Sequence, residues 1–335
     1  MSGVSAVLIR GDGIGPEVVG SAVEVMAAAG AEIDWVDLPA GAAAYEEFGD
    51  PVPPRTREAV REIGVGLKGP MGNPMSGYAG PNQTLRGVIE AFANVRSVRH
   101  YPHGGHARWP GLDVAIIRDQ TEDLTRGASQ RTADGDTGIA MKVTTRTAAE
   151  RVTRFACTWA VEHGQERITI GHLAPSQRAT DGLFLESALA VATEFPSLSV
   201  REEAVDPLCT HLLQDPTGYQ ILLTPNVYGG ILCGVLAGLA GSVGLMPGGI
   251  FGPGGALFEA GHGSAPKYAG ADTANPVGCI LSGAMLLDHV GQGTVADRIR
   301  RAVHDAIVEG SSSTRDLGGG GGTTAFTKRC RDLLG

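Results

Sequence analysis

Short apolar runs alternate with glycine-rich turns along this chain, and that pattern predicts its elements. Ala6-Val7-Leu8-Ile9 is a brief continuous apolar run of the kind that forms a buried strand. After Gly11-Asp12-Gly13-Ile14-Gly15-Pro16-Glu17 the pattern predicts a helix through Ala28, with Pro16 suited to its first turn. Ile221-Leu222-Leu223-Thr224 reads as a second buried strand, stopped by Pro225. The residues after Asn226-Val227-Tyr228-Gly229-Gly230-Ile231-Leu232-Cys233-Gly234, Val235 to Leu245, are so rich in Gly and Ala that they must pack closely. Polar, alternating segments fill 128 to 170, together with a long amphipathic helix from Thr147 to Glu162. Ser311-Ser312-Ser313-Thr314 and Gly318 to Gly322 predict a loop before a last helix around Phe326 to Leu334. No internal repeat is present.

Composition narrows the class. A chain of 335 residues, 42% hydrophobic and 19% charged, is globular and long enough for about two domains. A net charge of −9 and a pI near 5.5 exclude the basic face that non-specific nucleic-acid binding needs. No apolar run approaches the ~20 residues of a spanning helix, so no membrane partner is expected. Five scattered cysteines (157, 209, 233, 279 and 330) form no CxxC pair, which fits a reduced compartment without structural zinc. Met1-Ser2-Gly3-Val4 does not open a signal peptide, and the expected location is the cytoplasm.

Two clusters invite chemistry. His100, His103 and His106 have a spacing that could gather a metal or supply a base, yet Pro102, Gly104 and Gly105 make the stretch a solvated turn. Cys233 could be a nucleophile, but nothing near it in sequence supplies a base, so it reads as a small packed residue.

The stretch Gly11-Asp12-Gly13-Ile14-Gly15-Pro16-Glu17-Val18 does not fit the Gly-x-Gly-x-x-Gly dinucleotide fingerprint. It resembles instead the opening of the β-decarboxylating dehydrogenases, the isocitrate and isopropylmalate dehydrogenase family. Leu67-Lys68-Gly69-Pro70, Asn82-Gln83-Thr84-Leu85-Arg86, Ala93-Asn94-Val95-Arg96 and Ile116-Ile117-Arg118-Asp119 extend the likeness in order. The resemblance implies an α/β fold with a large domain, built on a mostly parallel sheet, and a smaller α/β domain with a dimer clasp. Expected boundaries are 1–97 and 251–335 for the large domain and 98–250 for the small one. A homodimer with a cleft between the domains is implied as well. It further implies that Asn82, Arg86, Arg96 and Arg118 bind a small carboxylate, since a guanidinium grips a carboxylate with two parallel N–H bonds. A serine that contacts substrate in the family is Gly80 here.

The family's catalytic positions diverge. Its proton-donating tyrosine is Thr125, and the lysine that removes the hydroxyl proton is Leu173. Of the family's metal-binding aspartates, Asp206 is kept while the other two are Gly230 and Gly234. One carboxylate makes a weak site for a hard dication, so no divalent metal is expected. Asp206 reads better as a residue at a helix start.

The cofactor side is better preserved. Residues His262, Gly263, Ser264, Ala265, Lys267, Tyr268 and Asn275 resemble the adenosine-binding loop of NADP-dependent isocitrate dehydrogenases. Lysine and a tyrosine hydroxyl suit a 2′-phosphate, so the expected cofactor is NADP. Three functions follow: a repurposed cleft with metal-independent chemistry, a non-catalytic binding or regulatory subunit, or an atypical NADP-dependent 2-hydroxy-acid oxidoreductase.

Overall fold

A computed structural model describes residues 3–72, 80–102 and 107–335. The chain forms two compact units. The first comprises Met1–Ala91, Val98–Pro110 and Ala237–Gly335, and the second Phe92–Ser97 with Gly111–Leu236.

In the first unit the strand Val4–Ile9 pairs in parallel with Ile33–Asp37 on one side and Val65–Lys68 on the other. Gly255–Phe258 adds in parallel to Val65–Lys68, and Gly248–Gly252 closes the set antiparallel. All but Ile33–Asp37, which carries two aspartates and is largely exposed, are buried along most of their length, as sheets covered on both faces require. Val7, Ile9, Val60, Leu85, Ile89, Ile250 and Leu257 form one buried cluster. The helix Gly15–Ala28 packs against Val277–His289 and Thr323–Leu334, with Gly293–Glu309 beside the last two. In the loop before the last helix Ser312, Ser313 and Thr314 are buried, while Ser311, Arg315, Asp316, Gly318 and Gly320 are exposed.

Two glycines of the opening stretch are obligatory. Gly11 and Gly13 have φ of 73° and 62°, a region that side chains enter only at a cost. A Cβ on Gly13 would also fall 1.9 Å from the carbonyl oxygen of Ser264. The Ile14 N–H donates to that same oxygen at 2.9 Å. Asp12 between them accepts from the backbone N–H groups of Gly72 and Ala42 at 2.8 and 2.9 Å.

The second unit holds four parallel strands in the order Asp113–Asp119, Ile221–Thr224, Arg167–His172 and Ser199–Ala204. Helices Arg146–Glu162 and Asp181–Ala192 pack on each other. An antiparallel pair, Ser129–Arg131 with Gly138–Ala140, is exposed throughout. The glycine-rich stretch after Pro225, to which sequence assigned close packing and no element, opens a 15-residue helix from Asn226 to Ala240.

Candidate functional site

Asn82 and Arg86 lie one turn apart on the helix Pro81–Val88, so they share a face. Lys68, which ends a fully buried strand and is itself 1% exposed, donates to Asn82 Oδ1 at 2.7 Å and pairs with Glu259. Arg86 Nη2 stands 3.6 Å from the other Glu259 oxygen. Part of the charge read as a ligand grip is therefore engaged by a carboxylate within this unit. The Lys68–Glu259 pair escaped the sequence reading because 191 residues separate its members. The available signal was a lysine closing an apolar strand, since a buried ammonium demands a buried acid.

A pocket of about 660 Å³ in the first unit is lined by His262, Gly263, Ala265, Tyr268, Asn275 and Asp316, among others. That volume is in the range of cofactor sites. His262 Nδ1 donates to the Gly263 carbonyl at 3.0 Å. Ala265 has φ 37°, a left-handed conformation costly for a residue with a Cβ, just before the short turn Pro266–Tyr268. Lys267 and Tyr268 are exposed on that turn. Asn275 is buried, and its amide donates to Asp316 at 2.8 Å while accepting from the Val277 N–H at 3.0 Å. It holds the pocket wall.

In the second unit Arg118 ends the strand Asp113–Asp119 and Arg96 lies on Ala93–Arg99. Arg118 Nη1 donates to the backbone oxygen and side-chain Oδ1 of Asn226 at 3.2 and 3.1 Å. The Asn226 amide donates to the Thr125 hydroxyl at 3.0 Å. Asp123 accepts from the Val227 N–H at 2.8 Å and so caps the helix Asn226–Ala240. Burial pushes the Cys233 thiol up in pKa although the charges of Arg118 and Arg96 pull it down, so its nucleophilic form is disfavoured.

Lys142, absent from the sequence reading, pairs with Asp181, meets the Tyr228 hydroxyl at 3.0 Å and stands 3.9 Å from Asp123. Leu173 follows the strand Arg167–His172, and its N–H donates to Asp181 at 2.8 Å. His100 is partly buried, and desolvation lowers its pKa. His103 and His106, read from sequence as part of a solvated turn, lie outside the described residues.

A divalent metal does not fit the residues present. Gly230 and Gly234 are one turn apart on an exposed helix face and offer no donor atom. A Cβ on Gly234 would meet open space, whereas one on Gly230 would lie 3.0 Å from Arg118 Nη1. Neither glycine can supply a carboxylate to a dication, and the Arg118 guanidinium beside Gly230 puts a positive charge there instead. Asp206 is exposed in the first turn of Val205–Gln214, whose cap is Ala204. No group of three or more His, Cys, Asp or Glu side chains suited to a metal exists among the described residues.

Residues 5–333 match the isocitrate/isopropylmalate dehydrogenase family, and the chain belongs to it. Among similar curated proteins is the NAD isocitrate dehydrogenase catalytic subunit 5 of Arabidopsis thaliana mitochondria. It is 38% identical over 99% of this chain and 88% of its own. The isocitrate/homoisocitrate dehydrogenase of Thermus thermophilus is 37% identical over 98% of this chain and 97% of its own. In structure the chain superposes on isocitrate dehydrogenase from Methylococcus capsulatus with a TM-score of 0.94 and 35% identity, covering 98% and 99% of the two chains. The α/β fold expected from sequence is thereby established.

Two expectations are overturned. NADP does not stand as the cofactor, because similar isocitrate dehydrogenases carry NAD in their names. The physical reason is that Lys267 lies on an exposed turn, where water can solvate its ammonium without any phosphate. The cytoplasmic location does not stand either, since most of these similar proteins are mitochondrial subunits. Reduced thiols and an acidic pI are common to both compartments and do not separate them.

Proposed function

We propose that this chain binds a small polycarboxylate through Arg96 and Arg118 and NAD through the pocket around His262 and Asn275. Its oxidative decarboxylation by a bound divalent metal is lost, and chemistry at the carboxylate site is metal-independent. The observation that carries this reading is Arg118 Nη1 standing 3.0 Å from the Cβ position of Gly230. The relatives' names supply isocitrate and isopropylmalate as the ligand class.

A second reading, a binding subunit without turnover, is favoured by Thr125. Its hydroxyl already accepts from Asn226, and it is far less acidic than a phenol of pKa ~10. The exposed Ile139 and Met141, at 45% and 56%, give a second copy of the chain an apolar surface to cover.

Calorimetry with isocitrate, isopropylmalate and NAD in EDTA tests binding, and NADH formation with Mg²⁺ tests turnover. Binding in EDTA without Mg²⁺-dependent turnover is expected. Robust NADH production that EDTA abolishes overturns the reading.

A further inference from the structure

Ala271, Thr273, Ala274 and Asn275 line the pocket beside His262. Asp272, in the middle of that irregular run, lines instead a separate cavity of about 640 Å³ between the helices Gly15–Ala28 and Thr323–Leu334. The run is fastened to both helices. At its start the Gly270 N–H donates to the carboxylate of Glu17, which the opening glycine motif carries into the first turn of Gly15–Ala28. At its end the Ala274 carbonyl accepts from the buried Thr323 hydroxyl at 2.6 Å. Between them Asp272 Oδ1 accepts from the N–H and the hydroxyl of Thr324 at 2.7 and 2.8 Å, and its backbone oxygen accepts from the Thr323 N–H at 3.2 Å. Asp272 holds φ 52° there, a left-handed conformation that aspartate tolerates better than most residues but still enters at a cost.

We propose that Glu17 and Asp272 are positioning residues of this pocket: they hold the wall Gly270–Asn275 in its binding conformation from the helix side, and so set NAD affinity without touching the nucleotide. The inference rests on the NAD-binding reading above. An irregular segment without such ties loses backbone entropy each time a ligand orders it. Fastened beforehand, it loses none on binding. Apparent affinity falls in proportion to the fraction of molecules whose site is competent. Slackening this wall therefore weakens NAD binding although no residue lining the pocket has changed.

The test is calorimetry with NAD on the full chain, well below the melting temperature of each variant. Glu17→Ala removes the acceptor of the Gly270 N–H. Asp272→Gly keeps the left-handed backbone while removing the Thr324 acceptor. Each is expected to weaken NAD about three- to tenfold, the range for one lost hydrogen bond. Glu17→Gln retains a side-chain carbonyl oxygen for the Gly270 N–H and is expected to stay within about twofold of the wild type. Glu24→Ala serves as the control, because Glu24 lines the same cavity but pairs with Arg331 at 3.2 Å and not with the wall. Its NAD affinity should not change. Lower melting temperatures for Glu17→Ala and Asp272→Gly with unchanged NAD affinity overturn the inference, as does an equal loss in Glu24→Ala or no recovery in Glu17→Gln. Should Glu17→Ala fail to fold, Asp272→Gly, altered at an exposed position, decides alone. Failure of the wild-type chain to bind NAD overturns the NAD-binding reading, and the inference with it.

Discussion

Lys142 and Leu173 meet on one carboxylate. Asp181, fully buried, takes the lysine ammonium on Oδ1 and the Leu173 N–H on Oδ2. The position where relatives are expected to carry a lysine is therefore tied through its backbone to a different lysine. Replacing Asp181 by Asn leaves an ammonium and an N–H competing for one neutral oxygen. Breaking a buried pair on one side costs about 3–5 kcal/mol. Urea unfolding of Asp181→Asn is expected to show a loss of that order.

The same cluster sets an alkaline limit. Burial alone would lower the pKa of Lys142, but hydrogen bonds to Asp181 and Tyr228, with the charges of Asp181 and Asp123, raise it overall. Burial likewise raises that of Tyr228. A raised folded-state pKa means that the folded chain holds its proton more tightly than the unfolded one. The contribution is complete below the ordinary values near ~10 and fades as pH climbs through the higher folded values. Melting temperature is expected to fall above pH ~10, and Lys142→Met should flatten part of that fall.

Two glycines should respond oppositely to alanine. At Gly13 the positive φ and the Ser264 carbonyl 1.9 Å from a new Cβ predict a loss of at least ~2 kcal/mol. At Gly234, with nothing within 4 Å of a new Cβ, the helix should gain about 0.5–1 kcal/mol. Thermal melts of the two variants decide, and destabilisation by Gly234→Ala would count against the open face described for it.

Asn275 holds the wall of the pocket beside His262. Asn275→Ala leaves the Val277 N–H without its side-chain acceptor and removes the amide that donates to Asp316. A cost of about 1–3 kcal/mol in stability is expected, with weaker NAD binding in calorimetry. Unchanged NAD affinity in a folded variant would show that Asp316 holds its place without it.

All five cysteines are free, and burial raises every thiol, Cys157 to about 11, Cys279 and Cys330 to about 12, and Cys209 and Cys233 in the same direction. Little thiolate exists at neutral pH. A chromogenic disulfide reagent should react slowly with the native chain and rapidly with five thiols in denaturant. One fast thiol in the native protein that Cys233→Ser removes and Cys209→Ser does not would revive Cys233 as a nucleophile.

Much of the architecture was legible because short apolar runs report local burial. The strand at Ile221–Thr224 and the helices at Gly15–Ala28 and Arg146–Glu162 fall where periodicity places them. The helix at Asn226–Ala240 was not legible, because glycine has poor helix propensity and only tertiary packing overrides it. The polar pairs were hidden for another reason. Lys68 finds Glu259, and Lys142 finds Asp181, only after the chain has folded back on itself. Nucleotide choice was misjudged from Lys267 and Tyr268, which lie exposed on a turn where water satisfies both without a phosphate.

The hydrogen bond from Ile14 to Ser264 joins the two ends of a 250-residue span. A nascent chain emerging from the ribosome carries its glycine turn from the start, yet that turn has nothing to lean on until the far loop is synthesised. Closing so long a loop is slow, because its entropy must be surrendered before the contact rewards it. The pocket lined by Ile14, His262 and Asn275 is consequently a late-forming part of the molecule, and a chain stalled before Ser264 would have the first strand and helix but not that pocket.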